Sequence, residues 1–319
     1  MHRHFIRIGP VCVFLIAALL SSAQSIEGLR HILVIGVDGM SPDGIEQAST
    51  PIMDRLIEGG SHTFHARAVL PSSSSPNWAS MIMGAGPEQH GITSNDWEKD
   101  RYTLPFSAEN EFHHFPTIFY LMYKNNPAAE IGAIYHWEGF GRLVEPEVLD
   151  FNRHEETEDQ TIATACAYLR EKRPEFCFIH LDHVDHAGHT FGHGSPEYFA
   201  SVAKADSLIG QVLRVLDQTG LRDSTLILIT ADHGGIGKVH GGETLAEMEI
   251  PFILSGPGVK VGYTIVSPVN TTDNAATLAW AWGLKIPDVW VGKPVREAFL
   301  GFAAPDKIYL PGKPLKTNE

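Results

Sequence analysis

The sequence predicts an α/β fold, a three-layer sandwich in which a central, mostly parallel sheet is covered by helices on both faces. Two observations predict it. Five apolar runs of strand length are continuous rather than alternating, as expected for strands buried on both faces. Helical patterns separate these runs, the alternation typical of α/β architecture. The runs are His31 to Val37, Ile131 to Tyr135, Phe176 to Leu181, Thr225 to Ala231 and Pro251 to Leu254. The helical patterns are Thr50 to Glu58, with Pro51 in the first turn, then Asn77 to Met83, Phe115 to Lys124, Glu158 to Arg170, Glu197 to Leu216 and Thr272 to Trp282. The stretch Asn95 to Phe112 is polar and weakly patterned and reads as a long surface excursion.

At 319 residues, 43% hydrophobic and 19% charged, the chain is long and apolar enough for a full core, which excludes disorder. Its formal charge of -14 and the lack of any basic run argue against a general nucleic-acid-binding role. The N-terminus reads as a secretory signal over residues 1–23. Arg3 and Arg7 precede an apolar run from Val11 to Leu20, and Ser21-Ser22-Ala23 supplies small residues for cleavage. That run is far shorter than the roughly 20 residues a spanning helix needs. The expectation is one domain over residues 24–319, secreted or periplasmic, with no membrane span after cleavage. Cleavage takes the formal charge from -14 to -16 and removes Cys12, leaving Cys166 and Cys177, whose pairing is open.

Histidine is unusually common, with 17 residues against 24 of Lys and Arg together. Chemistry in open α/β sheets collects beyond the carboxyl ends of strands, and several of these histidines fall there. The first strand ends in Asp38-Gly39, the third runs into His180-Leu181-Asp182-His183-Val184-Asp185-His186-Ala187-Gly188-His189, and the fourth ends in Asp232-His233-Gly234. Carboxylates converging on a partly dry edge repel one another unless a cation lies between them. A mixed Asp and His shell suits zinc or manganese better than calcium. Two divalent metal ions are therefore expected, zinc with manganese as the alternative, and no organic cofactor. A nucleophile candidate lies in Ser72-Ser73-Ser74-Ser75-Pro76-Asn77, ahead of a helix whose N-terminal amides suit an anionic oxygen.

In order along the chain, Asp38-Gly39, Ser74-Ser75-Pro76-Asn77, His90-Gly91-Ile92 with Asn95, Asp185-His186-Ala187-Gly188-His189, Asp232-His233-Gly234 and His240-Gly241-Gly242 form one ordered set. With it the chain resembles the alkaline phosphatase superfamily, and within it the type I phosphodiesterase and nucleotide pyrophosphatase branch, from about Arg30 to Gly292. The resemblance implies an alkaline phosphatase-like domain with two zinc ions. One ion would be held by Asp38, Ser74, Asp232 and His233, the other by Asp185, His189 and His240. Asp185 and His189 are four apart, one helical turn, and Asp182 with His186 offers the same spacing. The later pair is preferred because Gly188 precedes its histidine, as in the family, where the backbone must approach the metal. Ser74 matches the nucleophile, where the diesterase branch commonly has threonine, although the assignment could slip within Ser72 to Ser75. Asn95 matches the donor to a non-bridging oxygen.

The implied reaction is double displacement on a small phosphate diester or pyrophosphate through a phosphoseryl intermediate. A phosphomonoesterase is the first alternative. A sulfatase is disfavoured, because Trp78 stands where that family's modification motif has arginine. An inactive binding module is the remaining alternative. The stretch Tyr135-His136-Trp137-Glu138-Gly139-Phe140 lacks the basic pair that monoesterases use and looks like the Trp-Pro-Gly stretch of nucleotide pyrophosphatases. His180, His183, His186 and His193 crowd the site as candidates for orienting the ligands. Thr272 to Phe299 is read as packing, with Val289 to Val295 resembling the closing strand of the superfamily.

Overall fold

The apolar runs pair into a single eight-stranded sheet. The computed structural model describes residues 25–305, so the expected signal lies outside the described residues. The strands are β1 (His31–Val37), β2 (Ser61–Arg67), β3 (Ile131–Tyr135), β4 (Phe151–His154), β5 (Phe176–Leu181), β6 (Thr225–Thr230), β7 (Glu249–Ser255) and β8 (Tyr263–Thr264). Their spatial order is β4-β3-β5-β1-β6-β7-β2-β8. Only β7 runs against its neighbours, and the other seven are parallel. Every residue of β3, β5 and β6 is buried, which is why these strands read as unbroken apolar runs.

The strands missing from the sequence reading are β2, β4 and β8. β2 alternates buried and partly exposed positions, and β4 is half solvated at the sheet edge, so neither shows a continuous run. The helices are α1 (Pro42–Gln47), α2 (Pro51–Glu58), α3 (Ser74–Met83), α4 (Pro87–His90), α5 (Ile118–Asn125), α6 (Glu158–Lys172), α7 (His183–Phe191), α8 (Pro196–Thr219), α9 (Leu245–Met248) and α10 (Asp273–Trp282). They fall into two layers. In one, α1, α2, α6 and α7 pack around α8; in the other, α4, α5 and α10 pack around α3. Side-chain caps fix three starts: Thr117 accepts from Tyr120 N, Thr157 from Gln160 N and Ser195 from Tyr198 N.

The stretch from Asn95 to Phe112 forms no helix or named strand, as expected, although Trp97 within it is buried. The closing strand expected over Val289 to Val295 is absent. Val291 N and Gly292 N both donate to Gly84 O at the end of α3, at 2.8 and 2.9 Å, and Pro287 and Pro294 bracket the segment without amide donors of their own. Cys166 and Cys177 are free thiols.

Because β1, β5 and β6 are parallel and adjacent, with Val37 beside Leu181 and Gly36 beside Thr230, their carboxyl ends open on one edge. Asp38, the Asp182 to His189 segment and Asp232-His233 all emerge there.

Candidate metal centre

Asp38 and Asp232 are held at the edge by donors from neighbouring elements. Asp38 Oδ2 accepts from Trp78 Nε1 at 2.9 Å and lies 3.3 Å from His180 Nε2. Asp232 Oδ1 accepts from Gly39 N at 3.1 Å. The remaining oxygens, Asp38 Oδ1 and Asp232 Oδ2, are buried with no hydrogen-bond partner among the described residues. Both lie against His233 Nε2, at 3.3 and 3.2 Å. His233 Nδ1 donates to Gly234 O at 2.8 Å, and burial lowers the pKa of this ring, so Nε2 carries a lone pair. A lone pair facing two carboxylate oxygens is repulsive, and a cation between them removes the conflict.

The second cluster follows the same logic. Asp185 and His189 lie one turn apart on α7, with Oδ2 to Nε2 at 3.2 Å. His189 Nδ1 donates to Lys238 O at 2.9 Å and His240 Nδ1 to Ser72 O at 3.0 Å, which leaves the two Nε2 atoms facing each other at 3.1 Å. This meeting requires a cation. Without a metal ion the protein's substitute is a proton on His189, raised to about 9 by its hydrogen bond to Asp185. The rings of His233 and His240 stack at 3.8 Å, so the clusters adjoin. Ligand atoms of Asp38, Asp185 and His233 lie within 4.8 Å of one another, as do those of Asp185, His189 and His240. Asp185 belongs to both groups.

The carboxyl groups respond to this crowding. Burial, then the charges of Asp232 and Asp185, raises Asp38 well above the usual carboxylate range. Burial and Asp185 push Asp232 up to about 8. Burial also opposes ionisation of Asp185, but the hydrogen bond from His189 and the nearby His233 and His240 bring it down to about 2. Divalent cations would favour the ionised form of all three, and the donor set of carboxylates and imidazoles with unspent lone pairs fits such ions.

The serine run resolves into four different environments. Ser72 Oγ donates to Gly242 O at 2.6 Å and accepts from Gly241 N at 3.1 Å, so it braces the loop that carries His240. Ser73 is the N-cap residue of α3, and Ser75 Oγ is buried without a partner. Ser74, in the first turn of α3, places Oγ 3.3 Å from His233 Nε2, beside the buried carboxylates. Asn95 approaches the same turn: its Oδ1 accepts from Ser75 N at 2.8 Å, leaving Nδ2 as the free donor.

Of the two side chains at Asp38 Oδ2, His180 was among the crowding histidines and Trp78 was not foreseen. Trp78 is fully buried and lies four residues after Ser74, the spacing that shares a helix face, which is the signal that could have found it. Gly39 was read only as a motif residue. Its φ is +66°, and a Cβ there would lie 2.8 Å from Asp185 Cβ, so glycine admits Asp185 to the centre. The expectation for Gly188 needs correcting, since the space a Cβ would fill there is occupied by the His193 ring. Of the crowding histidines, His180 touches Asp38 and His193 Nε2 lies 3.8 Å from Asp185 Oδ1. His183 and His186 instead line a separate concavity with Asp182, and the alternative Asp182 and His186 pair is in neither ligand group of the centre.

The family model for type I phosphodiesterase / nucleotide pyrophosphatase matches residues 32–252. Mouse ectonucleotide pyrophosphatase/phosphodiesterase family member 1 is 25% identical over 81% of this chain, and the match covers 30% of that protein. The chain thus spans less than a third of the length of this curated relative. Among solved structures, human ectonucleotide pyrophosphatase/phosphodiesterase 5 aligns with a TM-score of 0.70 at 15% identity, covering 85% of this chain and 100% of the other. A variant of the alkaline phosphatase PafA aligns at 0.73 and 12% identity, covering 86% and 100%. At these identities the structural matches speak for the fold alone, and they agree with the sandwich described above.

Proposed function

The chain belongs to the type I phosphodiesterase and nucleotide pyrophosphatase family, and from that premise we propose that it is a secreted two-zinc hydrolase cleaving phosphodiester or pyrophosphate bonds. The observation that carries the reading is Ser74, whose Oγ is the one serine hydroxyl of the run against His233 and the buried carboxylates. Asp38, Asp232 and His233 with Ser74 would hold one ion, and Asp185, His189 and His240 the other. Bound there, the ions supply charge that draws an anionic ester into an acidic protein and makes an alkoxide accessible near neutral pH.

The chain's own residues do the rest. Ser74 Oγ gives up its proton to solvent and forms the bond to phosphorus as the bond to the ester or anhydride oxygen breaks, that oxygen leaving as the anion or taking up a proton from water, which gives a phosphoseryl intermediate. Water then cleaves that intermediate and returns the hydroxyl. Asn95 Nδ2 is the donor to a non-bridging oxygen. Trp78, His180 and Gly39 N orient the carboxylates.

Support for a diester over a monoester comes from Arg142, a cation close to Asn95. Its Nη1 donates to Glu98 Oε1 and its Nη2 to Asn95 O, so the Glu98 carboxylate already offsets the charge it would offer the extra oxygen of a monoester. Trp78 donates to Asp38 where a sulfatase motif would have arginine, which supports the reading against sulfate esters. The test is turnover of a nitrophenyl diester, a nitrophenyl monoester and a sulfate ester by zinc-loaded protein. The diester is expected to be fastest. A faster monoester would make the chain a phosphomonoesterase, and background rates on all three with zinc bound would make it a binding module.

A further inference from the structure

On the far side of α7 from the centre lies a second group of ligand-type side chains that the hydrolytic reading does not use. His136 follows β3, Glu158 opens α6 and His183 opens α7, and one ligand atom from each lies within 4.8 Å of the other two. We propose that these three residues form a third divalent-cation site, of zinc type, which ties the ends of β3, α6 and α7 together.

His183 carries the case. The residue is 8% exposed, yet neither ring nitrogen has a hydrogen-bond partner among the described residues. A buried polar group left unpaired costs about 1–3 kcal/mol, and this one is aimed into a concavity that also holds a carboxylate and another imidazole. The ring of His136 is scarcely better engaged, because its contact with Asp182 N is 3.4 Å, longer than an ordinary hydrogen bond. Two imidazoles and one carboxylate are a donor set that zinc accepts, with water completing the shell. Asp182 and His186 border the same concavity and supply further polar groups around it. Lys204 is the competing cation. It bonds both Glu158 Oε1 and Asp159 Oδ2, so it can release Glu158 to an ion and keep Asp159.

The site does not depend on the two-metal reading, and its test separates the two. The full chain, stripped with chelator, reloaded with zinc and gel-filtered, is counted for zinc by plasma emission beside Glu158→Gln and His136→Ala. Each variant is expected to carry one zinc fewer than the unaltered chain, and equal counts overturn the proposal. Should His136→Ala lose its circular dichroism signal, Glu158→Gln, which keeps the side chain's shape, decides. In a chain whose main centre is disabled by Asp185→Asn and His240→Ala, one zinc is expected to remain and to be lost on adding Glu158→Gln. No zinc in that background overturns the site whatever the main centre holds.

Discussion

His189 and His240 point Nε2 at Nε2 across 3.1 Å, each ring fixed from behind by a backbone carbonyl. A folded chain that holds two imidazoles this way gains stability from any cation that sits between them. A ligand that binds only the native state adds about 2.7 kcal/mol when present at a hundred times its dissociation constant. For a chain of this size that is a rise of roughly 4 °C in melting temperature. Calorimetry of the chelated and zinc-reloaded protein should show it, with a smaller rise for His240→Ala. Identical melting with and without zinc would refute the centre.

The four serines make a second comparison. Ser74→Ala is expected to lower diester turnover by about 10³-fold or more, the scale seen when a nucleophile is removed. Ser73→Ala and Ser75→Ala should stay within about tenfold of the parent, because neither hydroxyl touches the centre. Full turnover by Ser74→Ala would move the nucleophile elsewhere.

How legible this was follows from the kind of contact each residue makes. β3, β5 and β6 were readable because both faces are buried and the sequence has no polar interruption. β2 was not, because Ser61-His62-Thr63-Phe64-His65 has one apolar residue among five and lies near the sheet's edge. Asp38 and Asp232-His233 stand directly at strand ends and Asp185 and His189 lie one turn apart after β5, whereas His240 lies well past β6 and came only with the family resemblance. The Trp78 bond to Asp38, the place of Gly39 under Asp185, and the choice of Ser74 among four serines depend on meetings between distant segments. Local spacing gives only part of this, the four-residue step from Ser74 to Trp78 and the place of Ser74 before Pro76, and not the partner each meets. The reversed direction of β7 is likewise a property of the connection and not of the strand's composition.

Asn95 gives a narrower prediction. With Oδ1 taken by Ser75 N, only Nδ2 can serve a substrate oxygen. Asn95→Ala should lower kcat by about 10²–10³-fold, as loss of one oxyanion donor does elsewhere, while zinc content is unchanged. A kcat within twofold of the parent would reduce Asn95 to a brace for the first turn of α3.

Trp78 should act on the metal and not on the substrate. Trp78→Phe keeps an aromatic ring in the core but removes the donor to Asp38 Oδ2. Partners of this kind contribute about 10–100-fold to metal affinity. Competition with a chromogenic chelator should show a loss of that size. Unchanged affinity with reduced stability would mean that the indole serves only as packing.

Glu145 offers a pH signature away from the centre. The side chain is fully buried and accepts from Thr117 N at 3.2 Å, Thr117 Oγ1 at 2.5 Å and Asn110 Nδ2 at 2.8 Å. Burial, the largest influence, nevertheless raises its pKa above the usual carboxylate value, against His114 and the Thr117 hydroxyl, which lower it. The folded chain therefore binds the proton more tightly than the unfolded chain. The protonated side chain contributes its full stability below the unfolded pKa, and that contribution is lost as pH rises through the raised folded value. Glu145→Gln mimics the protonated form at every pH. Its stability relative to the parent should be nearly level in acid and grow as pH rises above the ordinary carboxylate range. Denaturant melts of both proteins at matched pH values measure that difference, and a gap that stays flat with pH, or shrinks, would show that Glu145 is ionised in the folded chain.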